Sequence, residues 1–214
     1  MKGADENMKK SLLTVITLLA VCILFSASAD EAVFNGQNDH GIGGTIKVAV
    51  TMDGDTIKAI KVLEQKETRG LGTTAILQLT KDIIEANSTE VDSVSGATLS
   101  SFAFKGAVRQ AVEEATGYDP AANVELGDNE YLGISNNGLG GRLMARVTIE
   151  DGKITAIDVL EAHESEEIGI VALNAQIPKM IETNSSDVDT VTGATITCNA
   201  LSEAVAEAIA ASQQ

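Results

Sequence analysis

The chain has no tryptophan, and its 214 residues include only four phenylalanines and two tyrosines. A binding site walled by stacked aromatic rings is therefore excluded, and contacts to any ligand fall to aliphatic side chains and backbone. Cysteine is nearly absent. Cys22 lies in an amino-terminal apolar run, which leaves Cys198 alone and rules out an internal disulfide. The two histidines, His40 and His163, occupy unrelated positions, and no Cys/His ligand spacing exists, so no metal site is expected. Cationic residues are few: 15 Lys and Arg against 31 Asp and Glu give a net charge of −16. That balance argues against nucleic acid and against anionic lipid heads as partners. Long hydrophobic runs are missing beyond one, Leu12–Phe25. With Met8-Lys9-Lys10 ahead of it and Ser26-Ala27-Ser28-Ala29 behind, that run reads as an export signal, residues 1–29, or an uncleaved membrane tether. A lipoprotein box is disfavoured, because Val21 stands where a small residue should precede Cys22.

The chain does contain a duplication. Gly41–Ala115 aligns without a gap on Gly138–Ser212, with 28 identities in 75 positions at a constant offset of 97. The strongest correspondence is Asp92-Ser93-Val94-Ser95-Gly96-Ala97-Thr98 with Asp189-Thr190-Val191-Thr192-Gly193-Ala194-Thr195. Each copy stands just ahead of a helical pattern. Apolar residues recur at Phe104, Val108, Ala111 and Ala115 within Ser100–Ala115, and at Leu201, Val205, Ala208 and Ile209 within Thr197–Ala211. Polar residues before a helix are commonly N-caps and nothing more. Two copies at equivalent positions favour a chemical role.

Asp-x-x-Ser/Thr-Gly-Ala-Thr resembles the acceptor motif of the FMN-binding domain family, and the chain resembles a tandem pair of such domains. In that family a flavin transferase joins the phosphate of FMN to the last threonine through a phosphoester bond. The resemblance implies two covalent FMN groups, on Thr98 and Thr195, with Asp92, Ser95, Gly96, Ala97, Asp189, Thr192, Gly193 and Ala194 around them. The chemistry is reasonable on its own terms. A threonine supplies the hydroxyl, a helix start favours the remaining anionic charge, and glycine permits close approach or positive φ. Upstream, Glu67-Thr68-Arg69-Gly70-Leu71-Gly72 is similar to the family's Glu-Thr-Pro-Gly-Leu-Gly loop, which lies near the flavin. Glu67, Thr68, Leu71 and Gly72 are therefore further candidates. The second copy, Glu164-Ser165-Glu166-Glu167-Ile168-Gly169, keeps the first Glu and the last Gly but loses the inner glycine. A plain strand-to-helix turn is the alternative there.

Each repeat opens with a glycine cluster, Gly41–Gly44 or Gly138–Gly141, followed by two strand patterns. Ile46, Val48, Val50 and Met52 alternate with polar or small residues, as do Leu143, Ala145, Val147 and Ile149. Asp53-Gly54 and Asp151-Gly152 are the expected hairpin turns, leading into Thr56–Leu63 and Lys153–Leu160. A helix using Ala75, Ile76, Leu79, Ile83 and Ile84 follows, and its counterpart is expected to kink or restart at Pro178. The predicted fold is α+β: two pseudo-equivalent ββαα units with small antiparallel sheets. Their limits are 35–116 and 131–212, joined by a linker at 117–130.

The resemblance implies an exported electron carrier, loaded by a flavin transferase and exchanging electrons with donor and acceptor proteins, membrane-bound or soluble. It assigns no acid, base or nucleophile to the protein itself, because the flavin carries the redox chemistry. Two rival readings are a flavinylated subunit of a reductase complex and a binding module without flavin.

Overall fold

The computed structural model describes residues 31–214, so the expected export signal lies outside the described residues. Both repeats belong to one compact unit, Ala32–Gln214. The first repeat runs β1 (Ala32–Gly41), β2 (Gly44–Asp53), β3 (Thr56–Glu64), α1 (Gly72–Ala86) and α2 (Thr98–Thr116). The second runs β4 (Glu130–Gly138), β5 (Gly141–Glu150), β6 (Lys153–Ala162), a π-helical turn (Glu166–Ile170), α3 (Val171–Thr183) and α4 (Thr195–Ala211). The sheets are antiparallel, ordered β1-β2-β3 and β4-β5-β6. The predicted α+β pair of units is therefore present, with one strand more at the front of each.

The period-2 alternation does what it should. Ile46, Val48, Val50 and Met52 are buried beneath α1 and α2, packed with Leu79, Ile83, Phe104 and Val108. Leu143, Ala145 and Val147 form the matching core with Leu173, Met180, Leu201 and Val205. The added strands β1 and β4 lie under the helices that carry the acceptor motif. A Cβ on Gly36 would stand 1.9 Å from the Ala107 carbonyl oxygen of α2, and one on Gly133 1.7 Å from that of Ala204 in α4. Helix backbone thus rests directly on strand backbone, and glycine is what that contact requires. No apolar alternation marks β1, because its inward residues include Gly36 and Asn38.

Three local features differ from expectation. Helix α3 runs through Pro178 without restarting. Asn174 and Pro178 are both exposed, so the carbonyl that loses its donor to the proline ring faces water. The irregularity lies upstream instead: where Gly70 turns with φ +77° in the first repeat, Glu167 occupies the second, and the segment winds as a π turn capped by Ser165 Oγ. In the first hairpin the two-residue loop is Gly54-Asp55, one position later than expected, since Asp53 pairs with Thr56. Each helix α1 and α3 ends at an asparagine in the left-handed region, Asn87 or Asn184. Their side chains accept from Ile57 N–H and Ile154 N–H at 2.8 Å, tying helix end to hairpin.

The repeats join head to tail. Helix α2 of the first receives the Gly138–Gly141 turn of the second: Arg109 Nη1 donates to the Gly140 carbonyl at 2.9 Å, and Asn38 Nδ2 to that of Leu139 at 3.2 Å. Gly106 permits the approach, since a Cβ there would lie 2.6 Å from the Gly140 carbonyl oxygen. Nearby, Arg142 of β5 forms a two-pronged pair with Glu113 of α2, at 2.8 and 2.9 Å.

The Gly133 contact yields a direct stability test. Gly133→Ala should lower unfolding stability in urea by about 1–3 kcal/mol, because α4 must shift to admit the methyl group. An unchanged midpoint and slope would show that the helix does not rest on β4 as described.

Candidate functional site

Both acceptor motifs fold as the same tight turn. Ala97 N–H donates to the Val94 carbonyl, and Ala194 N–H to that of Val191, each at 3.0 Å. Gly96 and Gly193 occupy the third turn position with φ +78° and +86°, the requirement of a type II turn. Glycine is needed there for its φ. A Cβ on Gly193 would meet nothing within 4 Å, and one on Gly96 only Leu71 Cδ1 at 3.8 Å, so the space beside the turn is open.

The helices begin two residues earlier than the apolar periodicity indicated, at the threonines themselves. Thr98 and Thr195 are first helical residues and exposed; the N-cap positions belong to the buried Ala97 and Ala194, with no side-chain cap. The reading of either threonine as an ordinary cap is thereby corrected. The first helical bonds run from Ser101 N–H to Ala97 and from Cys198 N–H to Ala194, at 2.9 Å. Three amides ahead of each bond have no helical acceptor and point toward the threonine's end of the helix.

Beneath each turn lies a carboxylate. Glu67 is buried, accepting from Gly43 N–H at 2.9 Å and from the Ser100 hydroxyl. Glu164 is buried likewise, accepting from Leu139 N–H at 2.8 Å and from the Thr197 hydroxyl at 2.5 Å. Ser100 and Thr197 sit two residues after Thr98 and Thr195, so each glutamate ties the helix that begins there to the glycine turn of its sheet. Gly72 and Gly169 make room, since a Cβ would lie 2.9 Å from Glu67 Cβ and 2.7 Å from Glu164 Cβ. Burial pushes the Glu164 carboxyl above its ordinary value, against the opposing pull of Thr197, the Leu139 amide and nearby His163.

The remaining candidates lie on the loops around this frame. Leu71 is the exposed N-cap residue of α1 and overhangs Gly96. The Thr68 carbonyl accepts from Leu71 and Thr73 N–H within the loop. Ser95 and Thr192 are exposed at the second turn position, and Asp92 and Asp189 are exposed upstream of it. Asp92 lies near Lys105, whose pKa is lowered chiefly by burial and raised in part by Glu90 and Asp92. Cys198 is buried, and its sulfur accepts from Val191 N–H as Ser101 Oγ accepts from Val94 N–H. Sequence reasoning missed Ser100 and Thr197; a hydroxyl at the same place in both copies was the available signal.

Thr195 opens into a cleft of about 440 Å³, within the range of small-molecule sites. Ile168, Gly169, Gly193, Ala194 and Ile196 line it from the second repeat, along with Leu139. Thr98 and Leu99 of the first repeat line it too.

Residues 41–113 and 138–210 each match the FMN-binding domain. The chain belongs to the FMN-binding domain family. Over 74 residues it is also 42% identical to the urocanate reductase of Eggerthella lenta. That stretch is 35% of this chain and only 12% of that protein, so the chain covers a small part of the relative. This FMN-binding domain pair is accordingly a flavin-binding protein. Its residues fit the cofactor: amides at an alanine-capped helix start suit a phosphate, and aliphatic walls with open space over Gly193 suit a flat ring.

In β6, three residues before Glu164, Glu161 receives hydrogen bonds from His163 at 2.6 Å and from Arg142 at 2.7 Å. Burial opposes ionisation of Glu161, yet His163 and Arg142 hold its pKa down to about 2, from 4.5. A depressed acid stabilises the fold above its unfolded pKa, and that stability is lost as pH falls toward the folded value. The stability difference between the wild type and Glu161→Gln should therefore be largest above pH 4.5 and shrink to a plateau near pH 2. Urea titrations at stepped pH measure it; a difference that does not change with pH would contradict the pairing.

Proposed function

We propose that the protein is an exported electron carrier with FMN esterified through its phosphate to Thr98 and to Thr195. The observation that carries this reading is the position of both threonines: exposed, first in their helices, and preceded by alanine, so that neither hydroxyl has a capping task. FMN supplies reversible one- and two-electron chemistry. The chain supplies an acceptor hydroxyl, amide donors for the phosphate, and an aliphatic cleft that limits water around the ring.

Export follows from the amino-terminal apolar segment, and covalent attachment then keeps a cofactor that would otherwise diffuse away outside the cell. Among the described residues no helix is long and apolar enough to cross a membrane. A flavin transferase loads the protein, and redox proteins at the membrane or in the surrounding space exchange electrons with it. A second reading is favoured by the urocanate reductase similarity: the chain serves as the flavinylated electron-donating subunit of a reductase whose substrate site lies on another polypeptide.

Intact-protein mass after co-expression with a flavin transferase tests the attachment. The expected result is two increments, each one FMN less one water. Thr98→Val and Thr195→Val should each remove one increment and leave stability nearly unchanged, since neither threonine caps its helix. No increment, from a transferase that modifies a control protein, would overturn the electron-carrier reading.

A further inference from the structure

We propose that the two FMN groups share one cleft, built from both repeats, and lie in contact when both threonines are loaded. The inference rests on the phosphoester reading above. Its basis is that Thr98 and Thr195, one from each repeat, line the same cavity. The lining between them is mainly apolar, with Ser165, Glu167 and Thr197 as its polar members, and its apolar side chains are uncovered: Leu99 is 41% exposed and Ile168 55% exposed. Exposed leucine and isoleucine facing a cleft leave apolar surface in water that a ring would bury.

The cleft is fixed by the joint between repeats. Leu139, in its lining, is held by its amide to Glu164 and by its carbonyl to Asn38 of the first repeat. Gly140, next in the chain, is held by Arg109 of α2. Glu164 of the second repeat and helix α2 of the first thus meet at one short turn. This joint is absent from the internal symmetry: Arg109 corresponds to Ala206, and Gly106 to Glu203. A contact found only between the repeats, and bringing both acceptors to one opening, allows electrons to pass from one flavin to the other without domain motion.

The test uses the full chain loaded by a transferase, with flavins counted by intact mass. The wild type should carry two, Thr98→Val one on Thr195, and Thr195→Val one on Thr98. Two chromophores in contact couple, so the visible circular dichroism of the wild type should differ from the sum of the two variants' spectra. Additive spectra would overturn the shared cleft while leaving both attachments intact. Absence of flavin from all three proteins would instead overturn the phosphoester reading beneath it. Should the single-threonine spectra be compromised by misfolding, Leu99→Asn supplies an independent arm. It should alter the flavin band of the doubly loaded protein, whereas Leu77→Asn, exposed on α1 and outside the lining, should not. Identical spectra for these two would also overturn the proposal.

Discussion

A carboxylate buried under the start of each acceptor helix, Glu67 in one repeat and Glu164 in the other, connects three separate pieces of chain. It accepts from the glycine turn between two strands and from the hydroxyl two residues after the acceptor threonine. A carboxylate out of water is tolerable only while such donors are in place. Removing either the turn or the hydroxyl would leave charge unpaired, so the three pieces hold or fail together. The type II turn, the alanine N-cap and the exposed threonine are positioned by that connection. They present a hydroxyl and three amides without a helical acceptor at one point.

The repeats share this frame and diverge where they touch. Gly106 lets α2 accept the turn of the second repeat, while Glu203 at the corresponding place in α4 turns back to Ser135 and Asn137, at 2.6 and 2.8 Å. A head-to-tail contact leaves a further face unused, and Glu203 fills it with its own side chain. Loss of the inner glycine at Glu167 has a second consequence. The loop that turns sharply in the first repeat winds as a π turn in the second, and its Ile168 lines the cleft.

Much of this was legible in the residues. Alternation at Ile46–Met52 and Leu143–Ile149 marked the central strands, and the repeated Gly-Ala-Thr marked the two tight turns that open onto Thr98 and Thr195. The strand β1 was not legible, because the helix above it excludes side chains at Gly36 and erases the apolar pattern that strands usually show. The helix starts were misplaced by two residues because Thr-Leu-Ser and Thr-Ile-Thr carry polar residues that resemble a capping stretch. Pro178 suggested a break that its exposed setting does not enforce. The approach of Leu99 to the second repeat's cleft depends on how two units dock, which no periodicity within either unit records.

The most direct test of the account is the rate at which a flavin transferase loads each threonine in Glu67→Ala and Glu164→Ala, followed by peptide mapping on protein whose secondary structure is intact. Each substitution should slow loading of the threonine in its own repeat and spare the other. Wild-type loading at both threonines in both variants would contradict the claim that the buried carboxylates present the acceptors.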